Sequence, residues 1–107
     1  MVKAEISSGI CGFTTIVEAR MDGSHCILSI ESECESVQAL ATELTRVDPF
    51  REITFRDEGS LTLKLAEKHC CHTACPVPVG IIKAVEVAAG LALPSDAVIK
   101  ISKTDEC

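Results

Sequence analysis

Two alternating segments meeting at Asp22-Gly23 constrain this chain more than any other feature. In residues 13–21, Phe13, Val17, Ala19 and Met21 fall on one side and Glu18 and Arg20 on the other. In residues 25–31, Cys26, Leu28 and Ile30 make an apolar face. An Asp-Gly pair between such runs is a two-residue hairpin signal, because both central positions of a type I′ turn require positive φ. Residues 2–7 alternate as well, with Val2, Ala4 and Ile6 opposed to Lys3 and Glu5. Gly9-Ile10-Cys11-Gly12 breaks the chain before the hairpin. An antiparallel three-strand meander is therefore expected at the start.

A helix should follow. Val37, Leu40, Ala41, Leu44 and Val47 recur at helical spacing,. Ser32-Glu33-Cys34-Glu35 has the S-x-x-E spacing of a capping box, with Ser36 as rival N-cap,. Asp48-Pro49 should end this helix, since the residue before proline is driven out of the α region. Ile53 and Phe55 suggest a strand over 52–57. Residues 61–68 read either way. Leu61, Leu63 and Leu65 alternate, but Ala66-Glu67-Lys68 favours a short helix capped by Ser60, which is the preferred reading. A second helix is expected from Pro76 or Pro78, where a missing N–H costs nothing in the first turn, to about Gly90. Lys83 and Glu86 alone mark its wet stripe, so it should be buried nearly all round. A last strand is expected over 97–102, with Ala97, Ile99 and Ile101 on one face. The expected fold is a single α+β domain over 1–107: three-strand meander, helix, strand, Cys-rich loop, buried helix, C-terminal strand.

Composition narrows the function. Ten Lys+Arg stand against 16 Asp+Glu, a formal charge of −6, with no Trp or Tyr. An acidic chain without a basic stripe is a poor nucleic-acid binder. No apolar run approaches the roughly 18 residues of a membrane span, and the first residues lack the apolar stretch of a signal peptide. A cytoplasmic protein with reduced thiols is expected. At 107 residues and 47% hydrophobic content the chain needs no crosslinks to fold,. It nevertheless carries seven cysteines, an odd number that no closed disulfide framework accommodates,.

Three of the seven have ordinary explanations. Cys26 belongs to a core face, Cys107 is terminal, and one of the adjacent Cys70 and Cys71 is spare. The other positions are chosen. Cys11 lies in a turn between glycines, Cys34 and Cys75 stand at the starts of the two helices, and Cys70 or Cys71 lies in a loop. The positive end of a helix dipole favours thiolate, the form that ligates metals and attacks as a nucleophile. A meander delivers Cys11 and Cys34 to one rim. The 70–75 loop reaches that rim if residues 61–68 form a short helix across it. Zinc ribbons use two close pairs, whereas here one compact group, Cys70-Cys71-His72-x-x-Cys75, is joined by remote singles,. This suits an Fe–S cluster, or a zinc site of three cysteines and a histidine. The metal-ligand candidates are Cys11, Cys34, Cys70, Cys71, His72 and Cys75. His69 and His72 are equally readable as solvated loop residues. The role would be electron transfer, carriage of metal or cluster, or regulation, with a redox or metal-acceptor protein as partner. The alternative is a thiol redox or sulfur-transfer protein using Cys75 with Cys71 or Cys70. A third reading is a homodimeric module joined through the helix at 78–90.

The run from His69 to Pro94, HCCHTACPVPVGIIKAVEVAAGLALP, together with Cys11-Gly12-Phe13 and Ser32-Glu33-Cys34-Glu35, resembles a small uncharacterised family. It is a domain of unknown function from anaerobic bacteria and methanogenic archaea, with a C-C-H-x2-C-P-V-P-like motif. The resemblance implies no activity. It implies an anaerobic, cytosolic setting in which oxygen-labile cysteine-ligated clusters persist, and so inclines the choice from zinc towards Fe–S.

Overall fold

The computed structural model describes residues 1–70 and 72–104. Strands β1 (Val2–Ser7), β2 (Thr14–Asp22) and β3 (His25–Ser32) form the expected antiparallel meander, and a short β4 (Arg46–Val47) pairs with β3. Asp22 pairs with His25, so the two-residue turn is Gly23-Ser24, one position later than the Asp-Gly signal suggests. Gly23 has φ 63° and Ser24 has no positive φ, which matches a type II′ turn with glycine first,.

Alternation does what the sequence pattern requires. Val17, Ala19, Cys26 and Leu28 are buried on one face of the sheet, with Val2, Ala4 and Ile30 packed beside them. Lys3, Glu5, Glu18, Arg20, Ser29 and Glu31 are exposed on the other. Helix α1 (Glu35–Glu43) covers β3, and α4 (Val77–Ala88) covers β1 and β2. Leu40, Leu44, Val77, Ile81 and Val85 complete the core. Each such aliphatic side chain taken fully from water contributes about 1.5–3 kcal/mol.

The first helix stops earlier than its periodicity. Val47 is buried in β4 opposite Cys26, not on α1. The Leu28 amide donates to the Thr45 carbonyl at 2.9 Å, which draws the chain into the sheet. Asp48-Pro49 then starts a helix instead of ending one. Asp48 Oδ1 accepts from the Phe50 amide at 3.1 Å, and Pro49 opens the short α2 (Pro49–Glu52),.

The strand expected over 52–57 does not form. Glu52 ends α2, and Ile53 and Phe55 are exposed in the turns that follow. The cause is polar. The buried Glu52 carboxylate accepts from Ser60 Oγ (2.9 Å), the amides of Leu61 (2.8 Å) and Thr62 (3.0 Å), and Thr62 Oγ1 (2.5 Å). It occupies the N-terminus of α3 (Leu61–His69), where unpaired amides and the helix dipole favour an anion,. The helical reading of 61–68 is correct, and Ser60 caps it through the Leu63 amide at 3.2 Å.

α4 has the expected bounds but is less enclosed than expected. Val77, Pro78, Ile81, Ala84 and Val85 are buried, whereas Val79 and Lys83 are exposed. The C-terminal strand expected over 97–102 is absent: residues 91–104 carry no regular structure and are exposed throughout. No helix among the described residues is long and apolar enough to cross a membrane.

Candidate functional site: the cysteine rim

The β1–β2 connection is a tight 3₁₀ turn, Gly9–Cys11. Gly9 (φ 78°) and Gly12 (φ 74°) take left-handed conformations that L side chains adopt at a cost,. Between them Cys11 is held out in solvent.

Cys34 is built in from two strands. The Thr15 hydroxyl donates to Ser32 Oγ at 2.8 Å, and that same oxygen accepts from the Cys34 amide at 3.1 Å. Gln38 Nε2 donates to the Ser32 carbonyl at 2.8 Å. Ser32 is thus neither the N-cap nor part of a capping box; Cys34 itself is the N-cap of α1. Its thiol makes no capping hydrogen bond, and its carbonyl accepts from the Gln38 amide at 2.9 Å. Ser7 pairs with Thr14, and Thr15 with Ser32. Cys11 and Cys34 therefore leave the sheet at the same rim, as strand parity requires.

α4 starts at that rim too. A Cβ on Gly80 would lie 2.4 Å from Ile6 Cδ1, so the first turn of α4 rests on Ile6, one residue from the end of β1. Cys75 stands two residues before Val77, in a turn where its amide approaches the His72 carbonyl at 3.4 Å. Cys70 is the C-cap of α3, its amide donating to the Ala66 carbonyl at 2.8 Å. Cys34, Cys70 and Cys75 are half-buried and pack against the one core cluster, whereas Cys11 and His72 are exposed. Among the described residues, no three His, Cys, Asp or Glu side chains stand close enough together to hold a metal ion. Cys71 and Cys107 lie outside the described residues.

Cys26 behaves as the sequence suggests. It is fully buried, and burial pushes its thiol up, partly offset by a backbone hydrogen bond with Arg20. His69 is not a loop residue. It ends α3 and pairs through Nε2 with Glu43 at the end of α1, where Lys68 Nζ also reaches the carboxylate at 3.1 and 3.2 Å. The His69 hydrogen bond, then that of Lys68, holds the Glu43 carboxyl below the usual range. Sequence reasoning missed this clasp between α1 and α3. The basic residues closing 61–69 are a signal for it only once α1 is known to stop at Glu43.

A hollow of about 160 Å³ lies away from the cysteines, lined by Glu52, Ile53, Thr54, Phe55, Leu63, Ile82 and Glu86. A family model described as a family of unknown function (DUF6951) matches residues 2–101. No curated protein and no solved structure matches the chain.

Proposed function

The chain belongs to that family of unknown function, and because membership brings no activity with it, we propose from the site alone that this is a small cysteine-ligated metal protein. Cys11, Cys34 and Cys75 supply thiolates, together with Cys70 or Cys71, and His72 is a substitute ligand. The observation that carries the reading is the Ile6–Gly80 contact. It supports the reading by seating the first turn of α4 close to the rim where Cys11 and Cys34 leave the sheet, so that Cys75, 41 and 64 residues from them in sequence, would lie towards the same end of the fold. A chain able to fold without crosslinks has no structural need for that arrangement. An iron–sulfur cluster suits remote singles converging on a compact group, and a tetrahedral zinc site is the other occupant of the same chemistry. The anaerobic, cytosolic setting that the resemblance implies would favour the cluster. The role is electron transfer or carriage of metal or cluster, with a redox or metal-acceptor protein as partner.

The test is anaerobic purification followed by elemental analysis and a near-UV and visible spectrum. With no Trp or Tyr, the chain barely absorbs near 280 nm, so thiolate-to-iron bands would dominate. Iron with sulfide supports the cluster, and zinc at about one per chain selects the tetrahedral site. Colourless, metal-free protein overturns the proposal.

A thiol redox function is the second reading. It is favoured by the half-burial of Cys70 and Cys75 against one core. The Cys75 thiolate attacks one sulfur of a partner disulfide and displaces the other as thiolate. Cys70 or Cys71, losing its proton, then attacks the mixed disulfide, forming an internal disulfide and releasing the partner as dithiol. Mass mapping of that internal disulfide after exchange supports this reading, and unreacted thiols refute it.

A further inference from the structure

We propose that the chain is a homodimer in which residues 97–102 of each copy lie along the free edge of β1 in the other. Among the described residues β1 has β2 on one side only, so every second residue of its six presents unpaired N–H and C=O groups to an added strand,. The chain carries a matching segment that its own fold leaves unused. Leu91 donates to the Glu86 carbonyl and Gly90, at φ 75°, to that of Val87, which ends α4 and directs the chain away,. Beyond this stop, Leu93, Val98, Ile99 and Ile101 are 71–90% exposed. The molecule measures 52 × 29 × 28 Å, elongated for a chain of this size.

Length, parity and charge fit one occupant. Residues 97–102 match the six residues of β1, and alternation puts Ala97, Ile99 and Ile101 on one face. With that face on the core side, beside Val2, Ala4 and Ile6, Lys100 falls on the side of Lys3, Glu5 and Ser7. Facing Lys3 it would be repelled. Facing Glu5 it is paired, and Ile99 and Ile101 then flank the level of Ala4 and Ile6. Exchange between two copies satisfies both edges and both segments through a two-fold axis.

Sedimentation of the whole chain in reducing, chelator-containing buffer at tens of micromolar should give twice the 11.4 kDa chain mass. Ile99→Asp with Ile101→Asp should give the single-chain mass with the helical far-UV circular dichroism bands retained, because the segment belongs to no helix of the fold and only the added strand is lost. Lys100→Glu should weaken the dimer several-fold, and Glu5→Lys in the same chain should restore it. A single-chain mass for the unaltered protein overturns the proposal. So does a dimer that survives the double substitution, which would place the contact elsewhere, for instance on the exposed side of α4.

Discussion

The side chain of Ile6 occupies the space that a β-carbon on residue 80 would take, with Cδ1 at 2.4 Å and Cγ1 at 2.5 Å from that position. Glycine inside a helix is otherwise a loss, so its presence marks where α4 seats on β1. Gly80→Ala should destabilise. Overpacking costs about 1–3 kcal/mol, against which Ala gains about 1 kcal/mol over Gly in a helix. Urea unfolding would show the lower midpoint. In an Ile6→Ala background the same change should instead stabilise, and equal effects in both backgrounds would contradict the seating.

Glu52 joins the end of α2 to the start of α3 through four donors. Glu52→Ala leaves buried hydroxyl and amide groups without an acceptor and should cost about 3 kcal/mol or more. Glu52→Gln keeps one accepting oxygen and should cost less. Reversed ranking in denaturant melts would mean that volume, rather than hydrogen bonding, governs the site.

Thiol reactivity should follow burial. Cys11 should alkylate first, Cys34 and Cys75 more slowly, and Cys26 only on unfolding; timed labelling with peptide mass mapping reads the order. Cys26→Ser should cost about 1–3 kcal/mol by placing a hydroxyl in the core. Because burial raises the Cys26 thiol above its unfolded value, its contribution to stability is complete below the ordinary thiol range. It declines as pH rises through that range towards the raised value,. Cys26→Ala should flatten this alkaline decline.

The Glu43 carboxyl is held down chiefly by its hydrogen bond with His69, then by Lys68. Its contribution to stability is therefore full above the ordinary glutamate range and is lost as pH falls through the lowered value. Carbon-detected NMR titration should find the Glu43 midpoint below the ordinary glutamate value,. His69→Ala should move it upward, and an unmoved midpoint would assign the effect to Lys68 alone.

If the rim binds metal, Cys34→Ser and Cys75→Ser should each lower metal per chain severely, while Cys26→Ser keeps it and loses only stability. Elemental analysis beside thermal melts separates the outcomes. Equal metal loss in all three variants would assign the cysteines to packing.

The meander, the helix over 61–69 and the bounds of α4 were legible because each rests on local pattern, capping or proline placement. The failures share a different cause. Val47 continues the helical spacing of α1, yet the Leu28–Thr45 hydrogen bond and the place opposite Cys26 take it into the sheet. Residues 52–57 look extended in isolation, yet a carboxylate nine and ten residues before its amide partners organises them as a turn. Such pairings at a distance leave no periodic trace. At the cysteines, parity correctly gave the shared rim of Cys11 and Cys34. The seating of α4, which starts two residues after Cys75, depends on a glycine meeting an isoleucine 74 residues away, which no spacing rule encodes.

The two borders of the sheet are unlike. β4 is two residues long, and Gln38 covers the Ser32 carbonyl beyond it, so that border offers almost nothing to an incoming strand. Among the described residues β1 is the long open border, so two such sheets meeting β1 to β1 use up the long border of each, and the two-residue β4 at either far side gives little hold for open-ended fibril growth,.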